Sequence, residues 1–234
     1  MIVFFDIGAT LIDGPAETPA RLLARRFGLS DGVRKALDQR LLTGALSGRE
    51  ALAAFLVDDC GAGPADADAA VNEVWRSQTE GPAIIPGAAE LLGALGEAGI
   101  PYGFISNIWQ PYAESFLRLF GPLVAGRPCT FSYRLGVAKP DPSLYRTALA
   151  DTGFTAGASV MIGDSFDNDM APAMALGMRT IWLLCRPAKE QRFIGEVASG
   201  RLTSPDATVP SLTLLSPSLI RQILDRNPPS ETTP

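Results

Sequence analysis

The residues most able to do chemistry in this chain are aspartates and one lysine, which stand in four short polar segments. Carboxylate oxygens suit Mg²⁺, which binds through one or two carboxylates together with substrate phosphate. A carboxylate that faces a phosphoryl group held in this way can attack it and form an aspartyl-phosphate. Carboxylates held together repel one another, and a nearby lysine would offset part of that repulsion. The four segments contain, in chain order, Asp6, then Ser106 with Asn107, then Lys139, then Asp164 with Asp169.

The elements that precede these residues predict where they stand. Ile2-Val-Phe-Phe5 is a short unbroken apolar run, which is typical of a strand buried on both faces, and it ends at Asp6. Gly8-Ala-Thr10 then allows a sharp turn. Because ligands bind at the carboxyl ends of the strands in open α/β sheets, polar residues that follow successive strands are expected to converge there.

The rest of the chain alternates between strand and helix patterns, after one long helical interruption. Helical spacing of apolar residues recurs four times between residues 14 and 81, at 17–28, 31–43, 47–59 and 66–78. From residue 82 onward, strands are predicted at 102–107, 129–133, 159–163, 180–184 and 207–214, with helices between them that include 110–120 and 167–177. This pattern predicts an α/β fold, a doubly wound parallel sheet, with an inserted all-helical domain.

The expected domains are therefore a core of residues 1–13 and 82–234 and a helical cap of residues 14–81. The tail at 227–234 contains no apolar residue besides proline and is expected to be disordered.

Composition excludes several classes of function. The 234 residues include no histidine, which excludes Ser-His-Asp hydrolysis and histidine-ligated metal sites. The formal net charge of −5 argues against nucleic acid as a partner, and no stretch is long enough to span a membrane. Three cysteines without motif spacing suggest reduced thiols and a cytoplasmic protein. The oligomeric state cannot be predicted from these features.

The order of the segments resembles the haloacid dehalogenase superfamily. The resemblance rests on the strand-end Asp6, on Ser106-Asn107, on Lys139-Pro-Asp-Pro142 and on Gly163-Asp-Ser-Phe-Asp-Asn-Asp169, and it covers about residues 2–220. The helical insert resembles the C1-type cap of that superfamily. The resemblance implies a Rossmann-like core, Mg²⁺ as cofactor and a small phosphorylated molecule as substrate.

The resemblance also implies a role for each residue. It implies Asp6 as the nucleophile, Lys139 as the catalytic lysine that orients the nucleophile and phosphate, and Ser106, Asn107 and Lys139 as the phosphate-binding residues. It implies that the metal ligands are Asp6, the backbone carbonyl of Gly8 and Asp164, with support from Asp169.

One position departs from the pattern of the phosphatases. These usually carry a second aspartate two residues after the nucleophile, which protonates the leaving oxygen and later activates water, whereas this chain has Gly8. Proton transfer of this kind contributes roughly 10²–10⁴-fold to rate. The chain is therefore predicted to be a phosphatase with atypical or reduced activity, in which Asp13 and cap carboxylates are the nearest substitutes in sequence.

Three alternatives stay open on the sequence. A phosphonatase-like enzyme would cleave a carbon–phosphorus bond with a cap lysine, for which Lys35 is the single candidate. A 2-haloacid dehalogenase would place tyrosine at position 8 and lack the segment 163–169. A catalytically impaired binding or regulatory protein would keep the fold alone. Cap arginines that could recognise a second anionic group of a substrate, or simply cover solvated helix faces, are Arg21, Arg25, Arg26, Arg40 and Arg49.

Overall fold

The computed structural model describes residues 1–46 and 48–225. The predicted disordered tail at 227–234 lies outside the described residues. None of the described helices is both long and apolar enough to cross a membrane.

A parallel six-stranded sheet forms the centre of the molecule. Its strands lie in the order β5-β4-β1-β6-β7-β8, so the first strand of the chain is in the middle, between β4 and β6. The strands, with the short pair β2 and β3 that lies outside this sheet, are β1 (Ile2–Phe5), β2 (Ile12–Asp13), β3 (Ala83–Ile84), β4 (Tyr102–Ser106), β5 (Cys129–Phe131), β6 (Ser159–Gly163), β7 (Arg179–Leu183) and β8 (Ala207–Val209).

Helices cover both faces of this sheet, as its apolar strands require. The helices are α1 (Pro19–Phe27), α2 (Asp31–Leu42), α3 (Arg49–Asp58), α4 (Pro64–Glu80), α5 (Ala88–Glu97), α6 (Gln110–Phe120), α7 (Ser132–Leu135), α8 (Pro142–Thr152), α9 (Ala171–Ala175), α10 (Gln191–Ala198) and α11 (Pro217–Leu224). Residues of α5, α6 and α11 pack with Val3 and Phe5 on one face, while residues of α8, α9 and α10 pack with Ile2 and Phe4 on the other. The alternation of β1 side chains between two cores fixes that strand at the centre.

The four helices α1–α4 follow one another without an intervening strand and have a core of their own. That core contains Leu23, Leu37, Leu56 and Val74 from the four helices, and the indole of Trp109 from the α/β part of the chain. The chain enters the helical cap after β2 and leaves it before β3. These two strands pair antiparallel, with Ile12 opposite Ile84. The predicted α/β fold with an inserted helical cap is confirmed.

Two contacts tie the cap to the α/β part. The Trp109 indole N–H donates to the carbonyl of Leu46 at 3.3 Å. The Ser115 hydroxyl donates to the carbonyls of Gln78 and Thr79, at 2.9 and 2.8 Å. The bonds of Ser115 hold the end of α4 against α6. The bond of Trp109, which precedes α6, holds the α2–α3 connection.

The elements differ from the sequence predictions in three places. The predicted strand 129–133 ends at Phe131 and continues into the short helix α7. The predicted helix 167–177 begins with one wide turn, a π-helix over Phe166–Met170, before α9. The predicted strand 207–214 ends at Val209, and a 3₁₀ turn follows at Leu212–Leu214. Short turns of these kinds form at element ends, where local periodicity carries little signal.

Candidate active site

Asp6 stands directly beyond β1, at the middle of the sheet edge. The main chain turns sharply after it, and Ala9 takes a left-handed conformation with φ of 57°. Its carboxylate is 7% exposed and is therefore almost enclosed by protein. The Ser106 hydroxyl, which ends β4, donates to Oδ1 of Asp6 at 3.0 Å. No described residue donates a hydrogen bond to Oδ2, so that oxygen stays available to a ligand.

Lys139 joins the two ends of the site. Its ammonium group is 2.6 Å from Oδ1 of Asp6 and 2.5 Å from Oδ1 of Asp169, and it also donates to the carbonyl of Ile105 at 3.1 Å. Three acceptors satisfy the three protons of the ammonium group. Burial opposes the charge on Lys139, but Asp169 and Asp6 outweigh that effect and raise its pKa, so the lysine stays charged.

Asn107 holds the loop that carries this lysine. Its side-chain N–H donates to the Lys139 carbonyl at 2.9 Å, and its side-chain oxygen accepts from the Lys139 backbone N–H at 2.6 Å. The amide therefore contacts both backbone polar groups of one residue, in a segment 32 residues away. In this arrangement the side chain of Asn107 positions Lys139.

Asp164 and Asp169 face Asp6 from the segment after β6. One oxygen from each of these three carboxylates lies within 4.8 Å of the others, so they could share a metal ion. Asp169 is held in place by the backbone N–H of Ser165, which donates to its Oδ2 at 3.1 Å. A Cβ atom on residue 163 would lie 2.4 Å from the Asp169 carboxyl carbon, so the glycine leaves the space that this carboxylate fills.

The electrostatics of this cluster favour an added cation. Burial raises the pKa of Asp169 to about 7, with Lys139 opposing the shift and Asp6 adding to it. Burial and then Asp6 raise the pKa of Asp164, which Arg186 opposes. These raised pKa values mean that the surroundings of the two carboxyl groups do not fully stabilise their negative charges. A hard divalent cation with oxygen ligands would meet that need, and the donor set fits one.

Arg186 is a residue of the site that the sequence analysis did not identify. It follows β7, pairs with Asp164 through its guanidinium group and lines the cavity described below. Its Nε is buried and has no hydrogen-bond partner among the described residues. Its place just beyond a predicted strand, as for the other site residues, was a usable signal.

Gly8 leaves an open place beside Asp6, which Tyr112 borders. A Cβ on residue 8 would lie 3.8 Å from Cε1 of Tyr112, which is an ordinary contact. The Tyr112 hydroxyl donates to the carbonyl of Ile12 at 3.2 Å. Burial, with Asp6 and Asp13, raises the pKa of Tyr112, so the phenol stays protonated. A Cβ atom therefore fits at position 8.

A cavity of about 330 Å³ opens from this turn between the cap and the α/β part. That volume matches the small end of ligand pockets in proteins, about 300–1,000 Å³. The residues that line it come from the turn after β1, from α1, α2 and α4 of the cap, from the start of α6 and from Arg186. Trp109 and Tyr112 reach it, whereas Phe116 on the same helix is buried in the core.

Several candidates from the sequence lie elsewhere. Lys35, the candidate lysine of a phosphonatase-like enzyme, is exposed on α2 and is not among the residues that line the cavity. None of the five cap arginines lines it either. Asp13, the nearest substitute acid in sequence, does line it.

Comparisons with known proteins show which proteins this chain resembles. The family model of the haloacid dehalogenase-like hydrolases matches residues 1–177. Hexitol phosphatase A of Escherichia coli K12 is 28% identical over 166 residues, which cover 69% of this chain and 73% of the relative. A ribulose-1,5-bisphosphate 5-phosphatase of Halopiger xanaduensis is 28% identical over 127 residues, 54% of this chain. That match spans only about half of the relative, 52% of its length.

Among solved structures, CbbY of Rhodobacter sphaeroides in complex with phosphate is similar across most of both chains. It aligns with a TM-score of 0.62 at 24% identity, over 92% of this chain and 95% of that chain. At this identity the likeness concerns the fold, in which a similar α/β core carries a cap.

Proposed function

This chain belongs to the haloacid dehalogenase-like hydrolases, and from that premise we propose that it is a Mg²⁺-dependent phosphatase of a small phosphorylated molecule. The observation that carries the proposal is the buried bridge from Asp6 through Lys139 to Asp169, with Asp164 beside it. The bridge leaves one oxygen of Asp6 available beside a three-carboxylate cluster. The relatives named above are phosphatases, which supports the choice of a phosphoester bond.

The chemistry begins with Asp6. Its Oδ2 attacks the phosphorus atom, the bond from phosphorus to the leaving oxygen breaks, and an aspartyl-phosphate forms on Asp6. Lys139 orients the attacking carboxylate, because its ammonium group is itself held by three acceptors. Attack of water on the aspartyl-phosphate then releases inorganic phosphate and restores Asp6.

The remaining residues hold the phosphoryl group and its counter-charge. Asp6, Asp164, Asp169 and the carbonyl of Gly8 would hold Mg²⁺, which when bound would neutralise charge on the phosphoryl oxygens. The Ser106 hydroxyl and the main chain of Asn107 would donate to those oxygens, since the side chain of Asn107 is engaged with Lys139.

The leaving oxygen lacks its usual proton donor. Gly8 offers no proton, and the pKa of the Tyr112 phenol is raised, so Tyr112 is a poor acid. We therefore propose that turnover depends on the leaving group: a phenolate departs without protonation, whereas an alkoxide needs an acid. Asp13, the candidate nearest to Asp6 in sequence, lines the cavity.

We also propose that residues 14–81 act as the cap that closes over this site. The support is the antiparallel pair Ile12–Asp13 with Ala83–Ile84, which lies at both ends of that segment. A cap joined at one narrow strip can shift as a unit and exclude water from the cavity.

The experiment is a panel of aryl and alkyl phosphates assayed with and without Mg²⁺, for the wild type and for Asp6→Asn. We expect Mg²⁺-dependent phosphate release that is fastest with aryl esters and that is lost in Asp6→Asn. Asp167→Asn is the matched control, because Asp167 is exposed and bonds only to neighbours in its own turn. Equal turnover by the wild type and by Asp6→Asn would reject the proposal.

A further inference from the structure

The lining of the cavity carries an unbalanced negative charge. Its acidic side chains are those of Asp13, Glu17 and Asp38. Among the described residues that line it, Arg186 is the only cation, and that guanidinium already pairs with Asp164. This lining surrounds the space beyond Gly8, into which the part of a substrate other than its phosphoryl group would extend.

The cap arginines do not compensate for this charge inside the cavity. None of them lines the cavity; five pair with a carboxylate or lie over an aromatic ring, and Arg21 acts on Asp38 and Glu17 through space. The contacts are Arg25 with Glu17 at 3.0 Å, Arg26 with Glu73 at 2.7 Å, Arg34 with Asp31 at 3.1 Å, Arg40 over Phe55 at 4.7 Å and Arg49 over Trp75 at 4.8 Å. Arg25 therefore offsets Glu17, which leaves Asp13 and Asp38 as the carboxylates with the strongest effect.

Asp38 is the most enclosed of these three carboxylates. It stands on α2 beside Leu41 and Leu42, which line the same wall. No described residue forms a hydrogen bond or ion pair with it, although Arg34 and Arg21 lie near enough to act on it through space. Burial nevertheless raises its pKa. A half-buried carboxylate without a direct partner gains from a cation that enters the cavity.

The opposite part of the lining is apolar. Ile108, Trp109 and Tyr112 face the cavity from the end of β4 and the start of α6. An aromatic or aliphatic body would pack there, mainly against the half-buried phenol ring of Tyr112, because Trp109 is 3% exposed. The cavity thus combines apolar and acidic lining residues, and it reaches Gly8 and Asn107, which are close in the chain to Asp6 and Ser106.

Resting on the proposed function, we infer that the leaving group is an organic alcohol of moderate size that carries an amine and no second anionic group. An ammonium group would lie beside Asp38 and Asp13, while the carbon skeleton would pack mainly on Tyr112. A second phosphate or a carboxylate would meet two carboxylates without a free cation among the lining residues. This sets the chain apart from any phosphatase whose substrate is a bisphosphate or a phosphorylated acid.

The test uses three aryl phosphates that differ only in the charge of one para substituent. The substituents are 2-aminoethyl, propyl and 2-carboxyethyl, so the leaving groups are phenols of closely similar acidity and the missing acid at Gly8 affects all three alike. We expect kcat/KM to fall from the amine to the neutral ester and again to the acid, each step by about tenfold, as for one unit charge a few ångströms from a partly screened carboxylate.

Two variants, each of which removes one negative charge, show where the preference for the amine arises. Asp38→Asn should reduce the amine-to-acid ratio of kcat/KM by about fivefold or more, mainly through KM. Asp68→Asn, on an exposed face of α4 away from the cavity, should leave that ratio unchanged. Binding of the three esters to Asp6→Asn with Mg²⁺, measured by calorimetry, should follow the same order of affinity.

The outcomes separate this inference from the proposed function. Asp6-dependent turnover with equal rates for the three esters, or with the acid preferred, would overturn the inference and leave the phosphatase proposal intact. An equal loss of selectivity in Asp38→Asn and Asp68→Asn would overturn it too. Absence of Asp6-dependent turnover with all three esters would overturn both.

Discussion

At the scale of single residues, the position of Lys139 explains how three acidic groups fold together beside an apolar sheet. The lysine is 5% exposed and contacts two of the three carboxylates. A buried charge without a partner is strongly unfavourable, whereas a paired one with satisfied hydrogen bonds is tolerated. Lys139 is therefore expected to stabilise the fold, and this role can be measured separately from catalysis.

Replacing Lys139 by methionine should destabilise the fold as well as abolish turnover. The carboxylates of Asp6 and Asp169 would be left buried without their cation, which costs about 3–5 kcal/mol of unfolding free energy. Urea denaturation monitored by circular dichroism measures this loss. Lys189→Met is the control, since Lys189 is exposed and its removal should change stability by less than about 0.5 kcal/mol. A Lys139→Met protein as stable as the wild type would show that the pair contributes little.

Gly8 stands where the resemblance stated above leads one to expect an aspartate. Because Tyr112 lies 3.8 Å from the position of a Cβ at residue 8, the first atom of a side chain meets no overlap there. The glycine is thus a chemical difference rather than a steric requirement.

Gly8→Asp should accelerate the hydrolysis of alkyl phosphates by about 10²-fold or more, because it supplies the proton for the leaving alkoxide. Aryl phosphates should gain much less at the step that forms the aspartyl-phosphate. Steady-state kinetics on matched aryl and alkyl esters measure the difference. Gly8→Asn adds a side chain of the same size without a carboxylic acid and should give no gain. Equal gains for Gly8→Asp and Gly8→Asn would assign the effect to shape.

At the scale of elements, the sequence predicted best what is determined locally. The apolar run Ile2–Phe5 predicts a buried strand because every side chain in it faces a core, and the helix at 110–120 has the predicted bounds. The pair of Ile12–Asp13 with Ala83–Ile84 was not predicted, because two-residue strands 70 positions apart have no periodicity of their own.

The location of the site could be predicted from the sequence, whereas the charge of the cavity beside it could not. Residues that follow strands converge because a parallel sheet brings the strand ends to one edge. The six residues named from the sequence meet there: Asp6, Ser106, Asn107, Lys139, Asp164 and Asp169. Their assigned roles stay predictions. The charge of the cavity wall was not predictable, because it depends on which side of each cap helix faces inward; α2, for example, turns Asp38 inward and Lys35 outward.

The connection between α2 and α3 lies so close to α7 that one added methyl group would overlap it. Gly44 has φ of 78°, and a Cβ on it would lie 2.2 Å from the carbonyl oxygen of Tyr133 in α7. Alanine there is strained in the left-handed region and also overlaps the core backbone. The cap and the α/β part approach each other closely at this point.

Gly44→Ala should therefore lower the unfolding free energy by about 2 kcal/mol or more and raise KM, because the cap is pushed away from the core. Chemical denaturation and kinetics on an aryl phosphate measure the two effects. Gly93→Ala in the middle of α5 is the control: no atom lies near its Cβ position, and alanine favours a helix by roughly 0.5–1 kcal/mol. If Gly44→Ala changed neither the unfolding free energy nor KM, the cap could move away from Tyr133 at little cost.

At the scale of the whole molecule, the acidic cluster couples metal binding to stability. The raised pKa values of Asp164 and Asp169 indicate that the folded protein holds these charges at a cost. A cation that binds the folded cluster and not the unfolded chain relieves that cost and stabilises the fold by mass action.

Mg²⁺ should therefore raise the melting temperature, with a stabilisation of about 2.7 kcal/mol at a concentration of 100 times its Kd. Differential scanning calorimetry at constant ionic strength, with Na⁺ in place of Mg²⁺ as the reference, measures the shift. Asp164→Asn should remove most of the shift, whereas Asp167→Asn, a change of equal charge outside the cluster, should keep it. A shift that survives in Asp164→Asn would place the bound metal elsewhere.

The central claim is that Asp6 attacks a phosphoryl group, and trapping the covalent intermediate tests it most directly. Because Gly8 cannot activate the water that clears an aspartyl-phosphate, the phosphorylated enzyme should accumulate. The wild type is mixed with Mg²⁺ and an aryl phosphate, quenched in acid within one turnover and analysed by intact and peptide mass spectrometry. The account predicts an added mass of one phosphoryl group on Asp6, absent from Asp6→Asn. Turnover without any adduct, or an adduct on another residue, would contradict it.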